Sequence, residues 1–564
     1  MKKLVLSAAV AFLATASAMA QTNVDHSTQS GNNQQGITNQ TGSGNDNTLM
    51  QSDSGHLSNV MQDGSLNIAN TTQSGSGSKS FVNQDGDENW ALTTQSGSNQ
   101  TSNVKQNGSG NDALTTQSGS NQQSNVKQNG SDNWAETTQS GSNHVSNVGQ
   151  IGSDNDAITM QSGNGNMSKV DQDGTGNIAL TTQDGDNNST LTQNGSTNNA
   201  TINQIGVNTS IAKQDGLGNT ANITQGNGIN NSSDLLQDGN GNTASITQKT
   251  NDYPVGTPRV SDNNTSVAKQ IGNGNDLIVV QTNIGNNFSD SYQRGDDNNT
   301  KVTLNGVNNV TNVSQIGDDN TVDTFQNYRS NELTITQLGD DNTATEYTIG
   351  NFNESQVSQI GNGNTSSIDR HVGKVFANPS LNNFATVSQV GADNTSGIVQ
   401  FGDDNDAMVM QLGTDNVSSI AQMGDGNTAN VFQSISGNTA DVLQNGDLNI
   451  ADVDQTGLSN MVDIDQVGDS NTATATQGFS LLGALRNEIV ISQTGDGNTA
   501  TGLQNGLRAW DNSISVMQDG DFNTAMNTQT GRDHTATIMQ TGNNHMHTGT
   551  QSGTNNSIMV TQSN

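Results

Sequence analysis

Seven histidines and a set of acidic turns are the residues of this 564-residue chain whose side chains would bind a metal or run acid–base chemistry. Four of the histidines, His56, His144, His534 and His545, stand five residues after a glutamine, where most comparable stretches carry asparagine. That placement reads as a stand-in for an amide in a structural column. His545 and His547 would share one strand face as a metal pair. The turns Gly317-Asp318-Asp319-Asn320, Gly339-Asp340-Asp341-Asn342, Gly402-Asp403-Asp404-Asn405 and Gly424-Asp425-Gly426-Asn427 would stack carboxylates of the kind that hold Ca²⁺. The Gly-Gly-x-Gly-x-Asp nonapeptide of calcium solenoids is absent, and solvated turn residues that slow aggregation are the simpler reading. No Ser-His-Asp array, HExxH or phosphate-loop pattern occurs. The expectation is therefore no enzyme, and no catalytic, cofactor or metal site.

The chemistry that does recur is amide hydrogen bonding. Gln stands at 29, 40, 51 and every eleventh position up to 183, fifteen times without a break. Gly follows two residues later in all but one case, the exception being Asp53, and Asn frequently stands five residues after the Gln. The register returns from Gln400 to Gln477 and from Gln518 to Gln562. A finer period of 22 is superimposed. Strands reading Asn-x-Ala-x-Thr-x-Gln, as in Asn89, Ala91, Thr93 and Gln95, alternate with strands carrying Ser and Val, as in Ser102, Val104 and Gln106.

Spacing of two within each unit places those residues on one face of a β-strand. The Gly-containing tetrapeptide after each Gln supplies the turn, because Gly, Asn and Asp tolerate left-handed backbone. The predicted fold is all-β: a two-sheet parallel β-solenoid of about 24 coils, each of 22 residues in two strand–turn units. Gln62, Gln73, Gln84, Gln95, Gln106 and Gln117, with Asn67, Asn89, Asn111 and Asn133, are the expected ladder residues. Gly64, Gly75, Gly86, Gly97 and Gly108 are the expected turn glycines. Stacked amides would satisfy one another up each column, where an unpaired buried amide costs about 1–3 kcal/mol.

Bulk composition alone points elsewhere: 28% hydrophobic, 3% aromatic and a net charge of −35 resemble a disordered chain. Periodicity overrides that impression, and the low count of 3 prolines agrees with a β-ladder. Residues 1–20 read as a signal peptide: Lys2 and Lys3, an apolar stretch from Leu4 to Ala16, then Ala18-Met19-Ala20. Segment 21–39 reads as an N-terminal export segment and 40–564 as the solenoid. Export without a single cysteine excludes disulfides. The acidic balance argues against nucleic acid and against anionic lipid, and no apolar run is long enough for membrane insertion.

Four stretches leave the repeat and read as side loops: 249–260, 371–383, 478–488 and 506–512. Gln is replaced in phase by Arg259, Leu304, Thr348 and Arg370. Outward positions of the Asn/Ala strands are semi-apolar (Ile68, Trp90, Leu92, Trp134), and those of the Ser/Val strands carry Lys79, Lys105, Lys127 and an Asn column.

The unit Ser-x5-Gln-x-Gly-x-x-Asn-x-Ala-x3-Gln, clear in Ser80–Gln95, Ser102–Gln117 and Ser124–Gln139, resembles the curlin repeat of curli, the bacterial extracellular amyloid fibre. The resemblance spans nearly all of 29–562 in an unusually long chain. It implies a secreted structural subunit that self-assembles into fibres on the bacterial surface, for biofilm matrix and adhesion, with an outer-membrane export pore and a nucleator as partners. The competing reading is a monomeric solenoid adhesin or spacer that binds a ligand through its side loops. Ice binding would need paired outward Thr columns, and only one is present.

Overall fold

The computed structural model describes residues 22–249, 263–282, 285–370, 380–478 and 484–564. The segment 1–20 and the cores of the loops at 249–260, 371–383 and 478–488 lie outside these residues, as does Arg259. Every regular element among the described residues is a β-strand. The chain divides into two compact units, Met1–Ala221 and Asn222–Asn564. Each is a parallel β-solenoid, and together they hold about 23 turns of about 22 residues.

In the first unit each strand up to Ile178–Gly185 pairs in parallel with the second strand after it, and Asn188–Ser196 pairs with the far half of the long strand Asn199–Leu217. Ile68–Ser76 pairs with Trp90–Ser98, and that strand with Asp112–Ser120. Lys79–Asp87 pairs with Thr101–Ser109 and that with Gln123–Ser131. Alternate strands thus build two columns joined by tight turns, one Asn/Ala/Thr and one Ser/Val. Partners are 22 residues apart, Gln to Gln and Gly to Gly (Gln95↔Gln117, Gly97↔Gly119). Near 193 the offset becomes 21, with Gln172 opposite Gln193, and the register survives the deletion because a turn absorbs it. Strands start earlier than residue 40. Val24–Asn32 pairs with Asp46–Ser54 and Gln35–Ser43 with Leu57–Ser65.

The core is the thin layer between the two columns. Strands show strict alternation of buried and less buried positions, with Ala91, Thr93 and Gln95 facing in. Only small side chains permit so close an approach: Thr93 Oγ1 and Ser102 Oγ meet across the layer at 3.4 Å, as do Thr115 and Ser124.

In the second unit the same columns run on through the irregular region. Gln237 pairs with Gln270 across 33 residues, Gln359 with Gln389 across 30, and Gln466 with Gln493 across 27. Insertions therefore sit between rungs, and the strands stay in phase. Its core is more aliphatic, with Val409, Ile420, Val431, Val442 and Ile464 buried where the first unit uses Thr and Val. Each added buried methylene contributes ~0.8 kcal/mol. Of the segment 506–512, residues 506–510 belong to the strand Thr499–Trp510, whose pairing with Thr524–Arg532 carries a register shift between Asn505 and Trp510.

Candidate functional site

Two amide ladders run through each unit, and their hydrogen bonds point in opposite directions. The Gln62 side-chain N–H donates forward to Gln84 Oε1 (2.8 Å), Gln84 to Gln106 Oε1 (2.9 Å) and Gln106 to Gln128 Oε1 (2.9 Å). In the facing column Gln73 donates to Gln95 and Gln95 to Gln117, both at 2.8 Å, and Gln117 to Gln139 at 2.8 Å. The other N–H of each Gln is held by main-chain carbonyls: Gln84 reaches Ile68 O and Asn89 O, both at 3.0 Å. Asn residues donate backward. Asn89 Nδ2 meets Asn67 Oδ1 at 3.1 Å, Asn111 meets Asn89 at 3.0 Å, and Asn133 meets Asn111 at 2.9 Å. All of these side chains are buried, with donors and acceptors matched, which is the condition for carrying amides in a core.

Turn glycines perform two tasks. Gly64, Gly75, Gly86, Gly97 and Gly108 sit at φ between 96° and 127°, where an L side chain is strained. A Cβ on Gly86 would run into the carbonyl oxygen of Gly108 on the next rung. That carbonyl also serves the Asn ladder, for Asn67 Nδ2 donates to Gly86 O (2.6 Å) and Asn89 Nδ2 to Gly108 O (2.9 Å). The fourth residue after each Gln, which the sequence reading passed over, is left-handed as well: Leu66, Glu88, Asn99 and Asp132 have φ of 54–59°. A signal was present in the sequence, since Gly77, Gly110, Gly165 and Gly176 fill the same place.

Histidines in the Asn slot reproduce the amide. His144 Nε2 lies 2.9 Å from Ser140 O, and Nδ1 accepts from Asn166 N at 3.2 Å. This pairing requires the neutral tautomer protonated on Nε2. Burial holds the His144 pKa below its ordinary value, against the pull of its bond to Ser140. His545 makes the same contact to Thr541 O (3.1 Å), so its ring is committed to the ladder. Among the described residues no cluster of three or more His, Asp or Glu is arranged to hold a metal ion.

Acidic turns form a third column. Asp403, Asp425, Asp447, Asp469 and Asp496 each donate a backbone N–H to the carboxylate of the Asp one rung on, at 2.9–3.0 Å, ending at Asp521. Their local role is to replace a main-chain acceptor at the turn.

Among the described residues of the second unit, one place breaks the neutral core. Thr348 and Arg370 occupy the Gln column, and Glu346 fills a small-residue position one step inward. Arg370 spans the gap, donating through Nε to Gln400 Oε1 (2.9 Å) and through a terminal nitrogen to Glu354 O (2.9 Å). Thr348 donates to Glu346 Oε1, while Glu346 Oε2 is buried without a hydrogen-bond partner. Burial pushes the Glu346 pKa up to about 7, with Arg370 pulling it back down. Sequence reasoning noted the two ladder substitutions and missed the glutamate that accompanies them.

The model of the curlin associated repeat matches residues 329–361, 382–413, 402–434, 436–468 and 511–542. The second unit carries curlin repeats. All five matches fall in the second unit, each covering about three strands. No curated protein matches the chain. Curlin repeats on an all-β solenoid point to a structural role, and no helix among the described residues is long and apolar enough to cross a membrane.

Proposed function

We propose that this curlin-repeat protein is a secreted structural subunit of curli-like extracellular amyloid fibres, acting in biofilm matrix and surface adhesion. On this reading residues 1–20 direct export, an outer-membrane pore passes the chain, and a nucleator starts its polymerisation. One observation carries the reading: each rung of the Gln ladder offers the next the same donor and acceptor, Gln84 to Gln106 and Gln106 to Gln128, so a rung of a second copy fits as well as one of its own. At the N-terminal face Gln29 and Gln40 use their N–H groups on Gln51 and Gln62, and their Oε1 atoms receive no donor among the described residues. At the C-terminal face Gln551 and Gln562 accept from Gln529 and Gln540 (2.8 and 2.7 Å) and donate to Thr535 O and Met546 O (both 3.0 Å). Among the described residues the strands Val24–Asn32 and Ser557–Ser563 pair along one edge each. A ladder whose rungs donate forward and accept backward favours head-to-tail addition of copies, a heterologous contact that does not close on itself.

The test is negative-stain microscopy of purified protein lacking residues 1–20, followed over days, with fibre diffraction. Growing filaments that show a spacing near ~4.8 Å and are accelerated by sonicated fragments are expected. Isolated particles that persist unchanged at high concentration would sink the proposal. Gln29→Lys with Gln40→Lys sets donors against donors and should slow elongation while leaving each subunit folded.

A further inference from the structure

On the outer face of the Asn/Ala sheet of the first unit, one side-chain column intersperses carboxylates with aromatic or aliphatic groups. Register places Asp46, Ile68, Trp90, Asp112, Trp134, Asp156 and Ile178 one above another. Two of the chain's 3 tryptophans are therefore directly above and below one carboxylate. All three residues are half-buried, open on the outer side. Their backbone is fixed from both directions. Trp90, Asp112 and Trp134 donate N–H to Asn111, Asn133 and Asn155 O (2.8 Å each), and their carbonyls accept from Gln106, Gln128 and Gln150 at 2.8–2.9 Å. The spacing of the two indoles is thus set by the ladders before any ligand arrives.

The charge on this face is one-sided. Every lysine of the described first unit, Lys79, Lys105, Lys127, Lys169 and Lys213, stands on the opposite sheet, and that unit contains no arginine. The groups around Asp112 are acidic: Asp132 in the adjoining turn, Glu136 on the next rung and Glu88 on the preceding one. The Asp112 carboxylate makes no hydrogen bond or ion pair among the described residues. Burial, with help from Asp132, pushes its pKa up to about 6. A half-buried carboxylate with no partner is a cost that a cation would relieve.

We propose that Trp90, Asp112 and Trp134 form a shallow cage for an organic cation, with a quaternary ammonium group as the best fit. Two strand spacings separate the tryptophans by ~9.6 Å, so a cation midway over Asp112 lies ~4.8 Å from each. That is inside the range of about 6 Å over which an aromatic face attracts a cation. Asp112 supplies the charge and the indoles supply the walls. Ammonium groups that keep a tight hydration shell fit less well than methylated ones, whose surface matches the apolar sides. The site lies on the side of the solenoid and is independent of the ends used for assembly.

The experiment titrates tetramethylammonium into the full mature chain at constant ionic strength, read by calorimetry and by tryptophan emission. Sodium and the neutral alcohol 3,3-dimethylbutanol serve as controls. Saturable binding of the ammonium alone is expected. Trp90→Ile and Trp134→Ile, which install a residue this column already carries at positions 68 and 178, should each weaken it about three-fold. Asp112→Asn should weaken it about ten-fold and abolish the loss of affinity otherwise seen as pH falls through about 6. Unchanged circular dichroism and filament growth show that the variants fold. The proposal is overturned by equal binding of the neutral alcohol, by equal affinity in the tryptophan variants, or by a non-saturating response. It is also overturned if the variants alter only association between copies, which would make the face an interface.

Discussion

Asn67 donates its side-chain N–H to the carbonyl of Gly86 at 2.6 Å, and Gly86 belongs to the next rung, 19 residues on. The Asn and Gly of the repeat are thus partners between coils and not within one. A left-handed Gly turns its carbonyl inward, and the Asn closes it. The turn and the ladder are one hydrogen-bonded object.

Gly86→Ala should therefore do more than strain a turn. The residue sits at φ 117°, and its new methyl would meet the Gly108 carbonyl. We expect a loss of about 3 kcal/mol, measured by chemical denaturation of the soluble subunit. The converse holds at Ile435, a β-branched residue at φ 82° in the same turn position. Ile435→Gly should stabilise by about 1 kcal/mol.

Within the Gln column, cost depends on what is left unmatched. Gln95→Ala removes the acceptor of Gln73, the donor to Gln117 and the bond to Lys79 O. About 3 kcal/mol or more should be lost. Gln95→Leu should cost roughly half as much because it fills the volume, as Leu304 does naturally in the second unit, fully buried between Gln281 and Gln326. Denaturation midpoints of the two variants decide the order.

Glu346 gives a pH dependence with a definite sign. Its pKa rises from 4.5 in the unfolded chain to about 7 in the fold, so the folded state binds the extra proton. Its contribution is fully present below pH 4.5 and is lost as pH rises to 7, by up to ~3 kcal/mol. The triple variant Glu346→Thr, Thr348→Gln, Arg370→Gln rebuilds a neutral column and gives the unpaired Gln326 side-chain N–H an acceptor. It should be more stable than the parent by about 1–4 kcal/mol at pH 7, and by less at pH 4.5. Thermal melts at both values test this.

The core also holds hydroxyls that the repeat tolerates without using. Thr159 Oγ1 and Ser168 Oγ are buried with no partner, although the equivalent pair Thr137 and Ser146 lies at 3.4 Å. Thr159→Val with Ser168→Ala should raise stability by about 1 kcal/mol. A lower stability in the double variant would mean that the pair is satisfied in solution.

Much of this architecture was legible because a period of 11 with a superimposed 22 leaves few solutions. Gln and Gly at constant spacing specify strand, turn and stacking direction together, and small residues at Ala91, Thr93 and Ser102 specify how closely the sheets approach. The second left-handed position was harder to see, since Leu66 and Glu88 there disguise a place that Gly77 and Gly110 reveal. Glu346 escaped for a different reason: in one dimension it is a single acidic residue among 53. Only stacking shows that it is buried beside Arg370.

The sequence by itself determined that amides would stack, which residues would stack, and that the coil has two unlike faces. A strict repeat needs only one coil's geometry to define all the others. The tertiary structure alone decided the opposite polarity of the Gln and Asn ladders, because donor direction depends on side-chain rotation that residue identity does not encode. It also decided that insertions of different lengths leave the column in phase, as Gln237 meets Gln270 and Gln359 meets Gln389. Pairing energy resides in the rungs, so whatever chain lies between them is free to vary in length.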